Sequence, residues 1–140
     1  MTTPPHHVEL VLHGESGFDA RDDTGASSVL GDTGEHNGLS PMKFLLAGLG
    51  GCTGVDVADI LRKKRQDVSD YRIEVSGVRA TEHPRVYTDI TVHHIVSGHD
   101  ISEDAVRHAL ELSEKKYCSA MAMLRQAARI TTTFEIRATT

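Results

Sequence analysis

The first third of the chain alternates apolar and polar residues in short runs that predict β-strands. Residues 7–13 carry an apolar side chain at every second position, which places those side chains on one face of a strand. Two further short strands are predicted over residues 18–21 and Ser27–Leu30, with turn-forming residues between them. Residues 31–38 are rich in Gly, Asp and Asn and lack apolar periodicity, so they predict a loop.

A different pattern begins at Ser40, which can cap a helix, followed by Pro41 at the first helical position. Apolar residues between positions 42 and 61 cover nearly the whole circumference of this helix, so we expect it to be buried. Glycine is unfavourable inside a helix by about 1 kcal/mol relative to alanine, and close approach of another element or a ligand would explain its use here. The glycines concerned are Gly48, Gly50, Gly51 and Gly54.

The second half of the chain predicts two longer strands, further helices and a closing strand. After the second long strand, Asp100 or Ser102 caps a helix whose apolar residues recur at helical spacing. The apolar pattern continues past Cys118 as a third helix or a kinked continuation. The predicted strands of this half are residues 70–80, 85–96 and 130–136.

This order of elements is typical of an α+β domain with helices packed on antiparallel sheets. The chain has 140 residues, of which 39% are apolar and 25% charged, so we predict one globular domain over residues 1–140. The longest strongly apolar run, residues 44–49, is far shorter than the roughly 20 residues of a membrane span, and residues 1–7 resemble no secretion leader. We therefore expect a soluble, cytoplasmic protein with no membrane partner.

Charge and histidine content exclude several classes of partner. The net charge is −5, and the one basic cluster, residues 62–65, lies at the end of the first predicted helix, where cations complement the helix dipole. We therefore expect no nucleic acid partner. His93 and His94 are adjacent on a strand and point to opposite faces, while His6 and His7 lie near the N-terminus, so no metal-ligand set is predicted. The glycine-rich helix lacks the strand-turn-helix context of a nucleotide-binding loop, and no cofactor is expected.

Cys52 and Cys118 are the candidate chemical groups. Each could be a small buried residue or a reactive thiol. Cys118 lies near a helix N-terminus after Lys115 and Lys116, so we expect an acidic thiol there. Cys52 lies among glycines that offer access, but Asp56, one turn further on, would raise a thiol pKa. The residues alone do not determine which sulfur attacks.

Two blocks resemble the OsmC and organic hydroperoxide resistance (Ohr) family. They are SPMKFLLAGLGGC, residues 40–52, and EKKYCS, residues 114–119. LRKKRQD at 61–67, PRVYT at 84–88 and the closing strand resemble the YhfA-like branch of that family. The resemblance extends from residue 39 to residue 136, and residues 1–38 match only loosely.

The resemblance implies an OsmC-like fold, an intertwined homodimer with its active site between the subunits, and a thiol-dependent peroxidase. By this resemblance Cys52 is the peroxidatic residue, whose thiolate attacks a peroxide and becomes a sulfenic acid. Cys118 is the resolving residue, which forms a disulfide with it. Organic hydroperoxides or hydrogen peroxide would be the substrates, and a dithiol reductant would reset the pair.

Peroxidases of this family also resemble one another in an arginine and a glutamate beside the reactive sulfur. The arginine lowers the thiol pKa and the glutamate orients the arginine. This chain departs from the pattern, since Met42 and Lys43 stand where the glutamate is expected, and Arg21 is the one arginine before the first helix. The alternative prediction is therefore a non-catalytic redox-sensing or small-molecule-binding stress protein that keeps the fold.

Overall fold

The structure is a computed structural model of the single chain, and it describes residues 3–139. Two compact units divide the chain, Met1–Leu45 and Leu46–Thr140. Each unit is described separately below. The prediction of a single domain over residues 1–140 stays a prediction.

The first unit is built on a three-stranded antiparallel sheet in the order β1-β2-β3, with β1 at Val8–His13, β2 at Gly17–Asp22 and β3 at Ser27–Leu30. These bounds confirm the three predicted strands to within one or two residues. The loop of residues 31–38 is folded back by short bridges, one of which joins Asp32 to Asn37. The Ser40 hydroxyl accepts a hydrogen bond from the Lys43 N–H at 3.3 Å, which confirms the predicted helix start.

The second unit contains a three-stranded sheet, in the order β4-β5-β6, and most of the helical residues. Ser102 caps the second helix, because its hydroxyl accepts a hydrogen bond from the Ala105 N–H at 3.2 Å. A π-helical turn, Ser113–Tyr117, separates the second helix from the third. The elements are α1 at Pro41–Lys63, which begins in the first unit, β4 at Asp67–Arg79, β5 at Tyr87–His99, α2 at Glu103–Leu112, α3 at Ser119–Leu124 and β6 at Arg129–Ala138.

The sheet of the second unit is mixed, which corrects the expectation of antiparallel sheets. β4 and β5 form an antiparallel hairpin, whereas β6 pairs with β5 in parallel, with Ile130 opposite Ile90. The reason is topological, since the chain returns through α2, the π turn and α3 before it re-enters the sheet. Such a helical crossover delivers the next strand in the same direction as the previous one.

The core of the second unit lies between the second half of α1, α2 and the sheet. Val57 and Leu61 of α1 pack with Val106 and Leu110 of α2, and all four are buried. Burial of this apolar surface is the main stabilising contribution to such a unit. The rest of the buried cluster is formed by Val96, Ala105 and Ala109, with partly buried Tyr71, Phe134 and Ile136 packed against it.

The glycines of α1 divide into two pairs. A Cβ atom at Gly50 would lie 2.9 Å from Val75 Cγ2, and one at Gly54 would lie 2.5 Å from Ile73 Cδ1. These two positions confirm the predicted close approach, and the approaching element is strand β4. Gly48 and Gly51 lie on the other side of the helix, where an added Cβ would meet no atom of the described residues within 4 Å.

The expectation of a fully buried α1 is wrong for the single chain. Leu49, Thr53 and Val57 are buried on one face, but Val55 on the opposite face is 71% exposed. One chain supplies only one set of packing partners for a helix that is apolar on most sides. By length and composition α1 could also cross a membrane, a criterion that core helices of soluble proteins meet as well.

Candidate functional site

The two cysteines come together in the second unit as free thiols. Cys52 projects from the middle of α1 and is partly exposed, whereas Cys118 precedes α3 and is only 3% exposed. The two side chains lie close enough to influence each other, since Cys52 contributes to raising the pKa of the Cys118 thiol. A thiol pair therefore lies between α1 and the segment that follows α2, with one sulfur open to solvent and the other enclosed.

The π turn positions Cys118. The backbone N–H of Cys118 donates to the carbonyl oxygen of Ser113 at 2.8 Å, a hydrogen bond that spans five residues rather than the four of an α-helix. This wider turn brings Ser113 and Cys118 to the same side of the segment, so that both side chains face α1. The Cys118 sulfur then caps α3 by accepting the Met121 N–H at 3.3 Å.

A buried chain of hydroxyl groups ties the π turn to α1. The Ser113 hydroxyl donates to Asp56 Oδ2 at 2.9 Å and lies 2.8 Å from the Thr53 hydroxyl. Since Ser113 has one hydroxyl proton and gives it to Asp56, Thr53 must be the donor in the second hydrogen bond. Both protons therefore point along the chain towards the carboxyl group of Asp56, one helical turn from Cys52.

The protonation of Cys118 differs from the expectation of an acidic thiol. Burial is the main reason that the pKa of the Cys118 thiol is raised to about 11, and the neighbouring Cys52 and the charge of Asp56 add smaller contributions in the same direction. The hydrogen bond from the Met121 N–H acts in the opposite direction but is the smaller effect. Lys115 and Lys116 are exposed on the π turn and do not offset the loss of hydration. Cys118 is therefore a thiol at neutral pH.

Two cavities border this site. The larger one, of about 450 Å³, extends along α1 from Asp56 and has an apolar wall formed by Ile60, Leu112 and Tyr117. Its remaining lining residues are Asp59, Lys63 and Lys64. A smaller cavity of about 210 Å³ reaches Cys118 from the side of α3 and is lined by Glu114, Lys115, Lys116, Ala122, Arg125 and Gln126.

The remaining predicted site residues lie in the first unit. Arg21 is an exposed residue of β2, beside a cavity of about 610 Å³ that Glu9 and Asp19 also line. Lys43 is exposed in the first turn of α1. The structure thus brings Cys52 and Cys118 together, while the role of Arg21 stays a prediction.

The paired histidines confirm the predicted opposite orientation. His94 is fully buried and its Nδ1 lies 2.6 Å from the Tyr71 hydroxyl. His93 faces the other side of the sheet, where its ring nitrogens contact Thr133 and Glu135. Within residues 3–139, no three His, Cys, Asp or Glu side chains are grouped as a metal site.

Sequence reasoning missed Thr53 and Ser113. Both are small polar residues in segments that are otherwise read from apolar periodicity, and both are completely or almost completely buried. Asp56 was noticed as a neighbour of Cys52 on α1, but its link to the π turn was not. The sequence pattern that could have revealed Ser113 is a polar residue five positions before a cysteine. This spacing places the two side chains on the same side only when the segment forms a π turn.

The chain is similar to known proteins over most of its length. The OsmC-like protein family matches residues 34–133 of the chain. Protein YhfA of Escherichia coli strain K12 is 44% identical over 97 residues, which cover 69% of this chain and 72% of YhfA.

Solved structures show the same fold. A hypothetical protein from Aquifex aeolicus VF5 matches with a TM-score of 0.87 and 34% identity, over 99% of this chain and 100% of that chain. An OsmC organic hydroperoxide resistance protein from Legionella pneumophila matches with a TM-score of 0.68 and 10% identity, over 96% of this chain and 99% of that chain. At 10% identity the second likeness concerns the fold alone.

Proposed function

This chain belongs to the OsmC-like protein family, and on that premise we propose that it is a thiol-dependent peroxidase acting in oxidative stress defence. Its substrates are organic hydroperoxides or hydrogen peroxide, and its cycle uses a disulfide between Cys52 and Cys118. Related folds include a protein described as an organic hydroperoxide resistance protein. The observation that carries the proposal is the neighbouring pair of free thiols with unequal exposure.

Unequal exposure supports assigning the first step to Cys52. A peroxide can reach the partly exposed Cys52 sulfur, whereas Cys118 is buried and holds its proton at neutral pH. A protonated Cys118 can donate its S–H to the Cys52 sulfur and stabilise negative charge on it. This donor takes part of the role that an arginine has in other peroxidases of the family.

The first step transfers one oxygen atom. The Cys52 thiolate attacks the terminal peroxide oxygen, the O–O bond breaks, and the alkoxide that leaves takes a proton from solvent to become an alcohol. Cys52 is oxidised to a sulfenic acid. The apolar wall of the larger cavity, formed by Ile60, Leu112 and Tyr117, supports a preference for peroxides with an apolar group.

The second step closes the disulfide. The Cys118 sulfur attacks the Cys52 sulfur, the sulfenic hydroxyl leaves, and it combines with the Cys118 proton to form water. A dithiol reductant then returns both cysteines to thiols by exchange. We place this cycle in the cytoplasm, where such reductants keep thiols reduced.

We further propose that the protein is a homodimer. Val55 of α1 is 71% exposed in the single chain, and β1 exposes Val8, Leu10 and Leu12 on one face of its strand. A row of exposed apolar side chains, such as the one on this face of β1, is typical of a protein interface. A second copy of the chain is the partner that the family resemblance implies.

Peroxide consumption tests the catalytic proposal. The reduced protein is mixed with cumene hydroperoxide or hydrogen peroxide and dihydrolipoamide, and substrate loss is followed for wild type, Cys52→Ser and Cys118→Ser. We expect Cys52→Ser to abolish consumption, and Cys118→Ser to stop at a single turnover with a sulfenic acid that dimedone traps. If wild type consumes peroxide no faster than Cys52→Ser does, the assignment of Cys52 as the catalytic residue is wrong.

A redox sensor is the second candidate, favoured by Met42 and Lys43 in place of the family glutamate. A sensor would form the Cys52–Cys118 disulfide once with stoichiometric peroxide but would not consume an excess. Intact mass distinguishes the cases, since a loss of two hydrogens without continued peroxide consumption supports the sensor. No mass change under either condition would indicate that both cysteines are structural.

A further inference from the structure

We propose that Asp56 is a positioning residue for the resolving thiol, holding the π turn through Ser113 and keeping Cys118 protonated through its negative charge. The family pattern stated above assigns no role to this residue. The inference deepens the proposed function, because it concerns the control of the same thiol pair, and its resolving role rests on that function. The charge effect and the positioning effect can each be measured without any peroxide.

Two hydrogen bonds that share Ser113 position Cys118 relative to α1. The Ser113 hydroxyl donates to Asp56 at 2.9 Å, and the Ser113 carbonyl accepts the Cys118 N–H at 2.8 Å. Ser113 therefore connects α1 directly to the backbone of Cys118. Because Cys52 and Asp56 are one turn apart on the same helix, fixing Ser113 against Asp56 also fixes Cys118 against Cys52.

Burial makes this link specific. Ser113 is completely buried and Thr53 almost so, and a buried hydroxyl without a partner costs about 1–3 kcal/mol. The chain from Thr53 through Ser113 to Asp56 satisfies both hydroxyl groups only when the π turn is in its present register. A one-residue shift of the turn would separate these groups and turn Cys118 away from Cys52.

Ionisable side chains face Cys118 from α1 and from its own segment. From α1 it meets Cys52 and Asp56, both of which disfavour a thiolate at Cys118. On its own segment the charged groups are Glu114, Lys115, Lys116 and Arg125, which line the smaller cavity with it. Of these, Arg125 Nη2 donates to the Glu114 carbonyl oxygen. Asp56 is therefore the negative side chain on the facing helix that an isosteric substitution can neutralise.

Keeping Cys118 protonated has a chemical use. A thiol can donate to a neighbouring sulfur and brings the proton that the departing hydroxide requires when the disulfide closes. A second thiolate beside Cys52 would instead repel negative charge on that sulfur. Asp56 thus favours a reduced state with one proton retained on the resolving cysteine.

Asp56→Asn separates charge from geometry, because an amide oxygen can still accept the Ser113 hydrogen bond. In a Cys52→Ser background, the pH midpoint of Cys118 alkylation by iodoacetamide should fall when Asp56 becomes Asn, because the negative charge that disfavours the Cys118 thiolate is removed. Asp59→Asn is the matched control, since it removes a carboxylate one turn further along α1 that pairs with Lys63. A midpoint equal to that of the Cys52→Ser parent would overturn the charge role.

Ser113→Ala tests the positioning role with both cysteines present. Diamide, which accepts two hydrogens as two thiols become a disulfide, should oxidise Ser113→Ala about tenfold more slowly than wild type. Ser119→Ala, an exposed neighbour, should match wild type. If Ser113→Ala fails to fold, Thr53→Val breaks the same hydroxyl chain with little change of shape. Wild-type rates in the folded variant would overturn the positioning role.

Neither readout depends on peroxide turnover. A protein that consumes no peroxide but shows both effects would disprove the proposed function while supporting the role of Asp56. Rapid peroxide turnover by wild type, with no change in the alkylation midpoint of Asp56→Asn or the diamide rate of Ser113→Ala, would support the proposed function and disprove the role of Asp56.

Discussion

His94 on β5 is a fully buried histidine that does not belong to the thiol site. Burial, with a smaller contribution from the neighbouring His93, lowers its pKa to about 4. Burial also raises the pKa of Tyr71, so the tyrosine hydroxyl keeps its proton and lies within hydrogen-bonding distance of His94 Nδ1. The other ring nitrogen, Nε2, is buried and has no hydrogen-bond partner among residues 3–139.

This histidine should make the protein sensitive to acid. Between about pH 6.5 and pH 4 the unfolded chain binds a proton at position 94 that the folded chain does not, so stability falls as the pH is lowered through this window. The contribution lost by pH 4.5 should be roughly 2 to 3 kcal/mol. Urea unfolding at a series of pH values measures it.

His94→Gln is the informative variant, because a neutral amide can still accept from Tyr71 but does not titrate. We expect its unfolding free energy to fall less than that of wild type between pH 6.5 and pH 4.5. His108→Gln, on the exposed side of α2, should follow wild type. Parallel pH profiles for wild type and His94→Gln would show that this histidine does not control acid stability.

At the scale of elements, the π turn at Ser113–Tyr117 explains both a success and a failure of sequence reasoning. The third helix after Cys118 was predicted, because the apolar pattern continues past that residue as a third helix or a kinked continuation. The placement of Ser113 beside Cys118 was not, since a period of 3.6 residues places Ser113 and Cys118 on different sides of a helix. A buried serine in a charged segment also resembles an ordinary surface residue.

Removing one residue from the π turn should misdirect Cys118. Deleting Lys115, which is exposed, shortens the turn to the α-helical register and rotates Cys118 by about 100° relative to α1. We expect diamide to form little intramolecular disulfide in this variant, although circular dichroism should show a retained fold. Lys115→Ala removes the same side chain without changing the register, and it should oxidise like wild type. A deletion variant that oxidises at the wild-type rate would disprove this account.

Strand direction was a second feature that apolar periodicity could not supply. Ile130, Phe134 and Ile136 alternate in β6 whichever way the strand runs, so the pattern predicted a strand but not its parallel pairing with β5. The helices predicted between the two strands did indicate that β6 runs parallel to β5. Connections of this length and kind usually return the chain to a parallel neighbour.

At the scale of the whole molecule, exposed apolar surface is the feature that one chain does not explain. Gly48, Gly51 and Val55 face outward on α1, where a second helix could approach the backbone closely. The sequence predicted burial all round this helix, and the single chain covers one face. The proposed homodimer accounts for the remaining face.

Val55→Lys should weaken that dimer. Placing a charge on the exposed face of α1 adds the cost of burying it in an apolar interface, so the dimer dissociation constant should rise by about tenfold or more. Sedimentation velocity over a concentration series measures the change. Thr81→Lys, in the exposed loop between β4 and β5, is the control and should leave the constant unchanged. A wild-type protein that sediments as a monomer at every concentration would rule out the dimer.

The parallel pairing of β6 with β5 also affects how a newly made chain acquires its thiol site. The β4–β5 hairpin can form from neighbouring residues, but Ile130 reaches Ile90 only after α2, the π turn and α3 have been synthesised. Cys118 lies in that crossover and is held between α2 and β6. A ribosome-bound chain that lacks β6 therefore has both cysteines but lacks Phe134 and Ile136, which pack against the core shared by α1 and α2 in the complete chain.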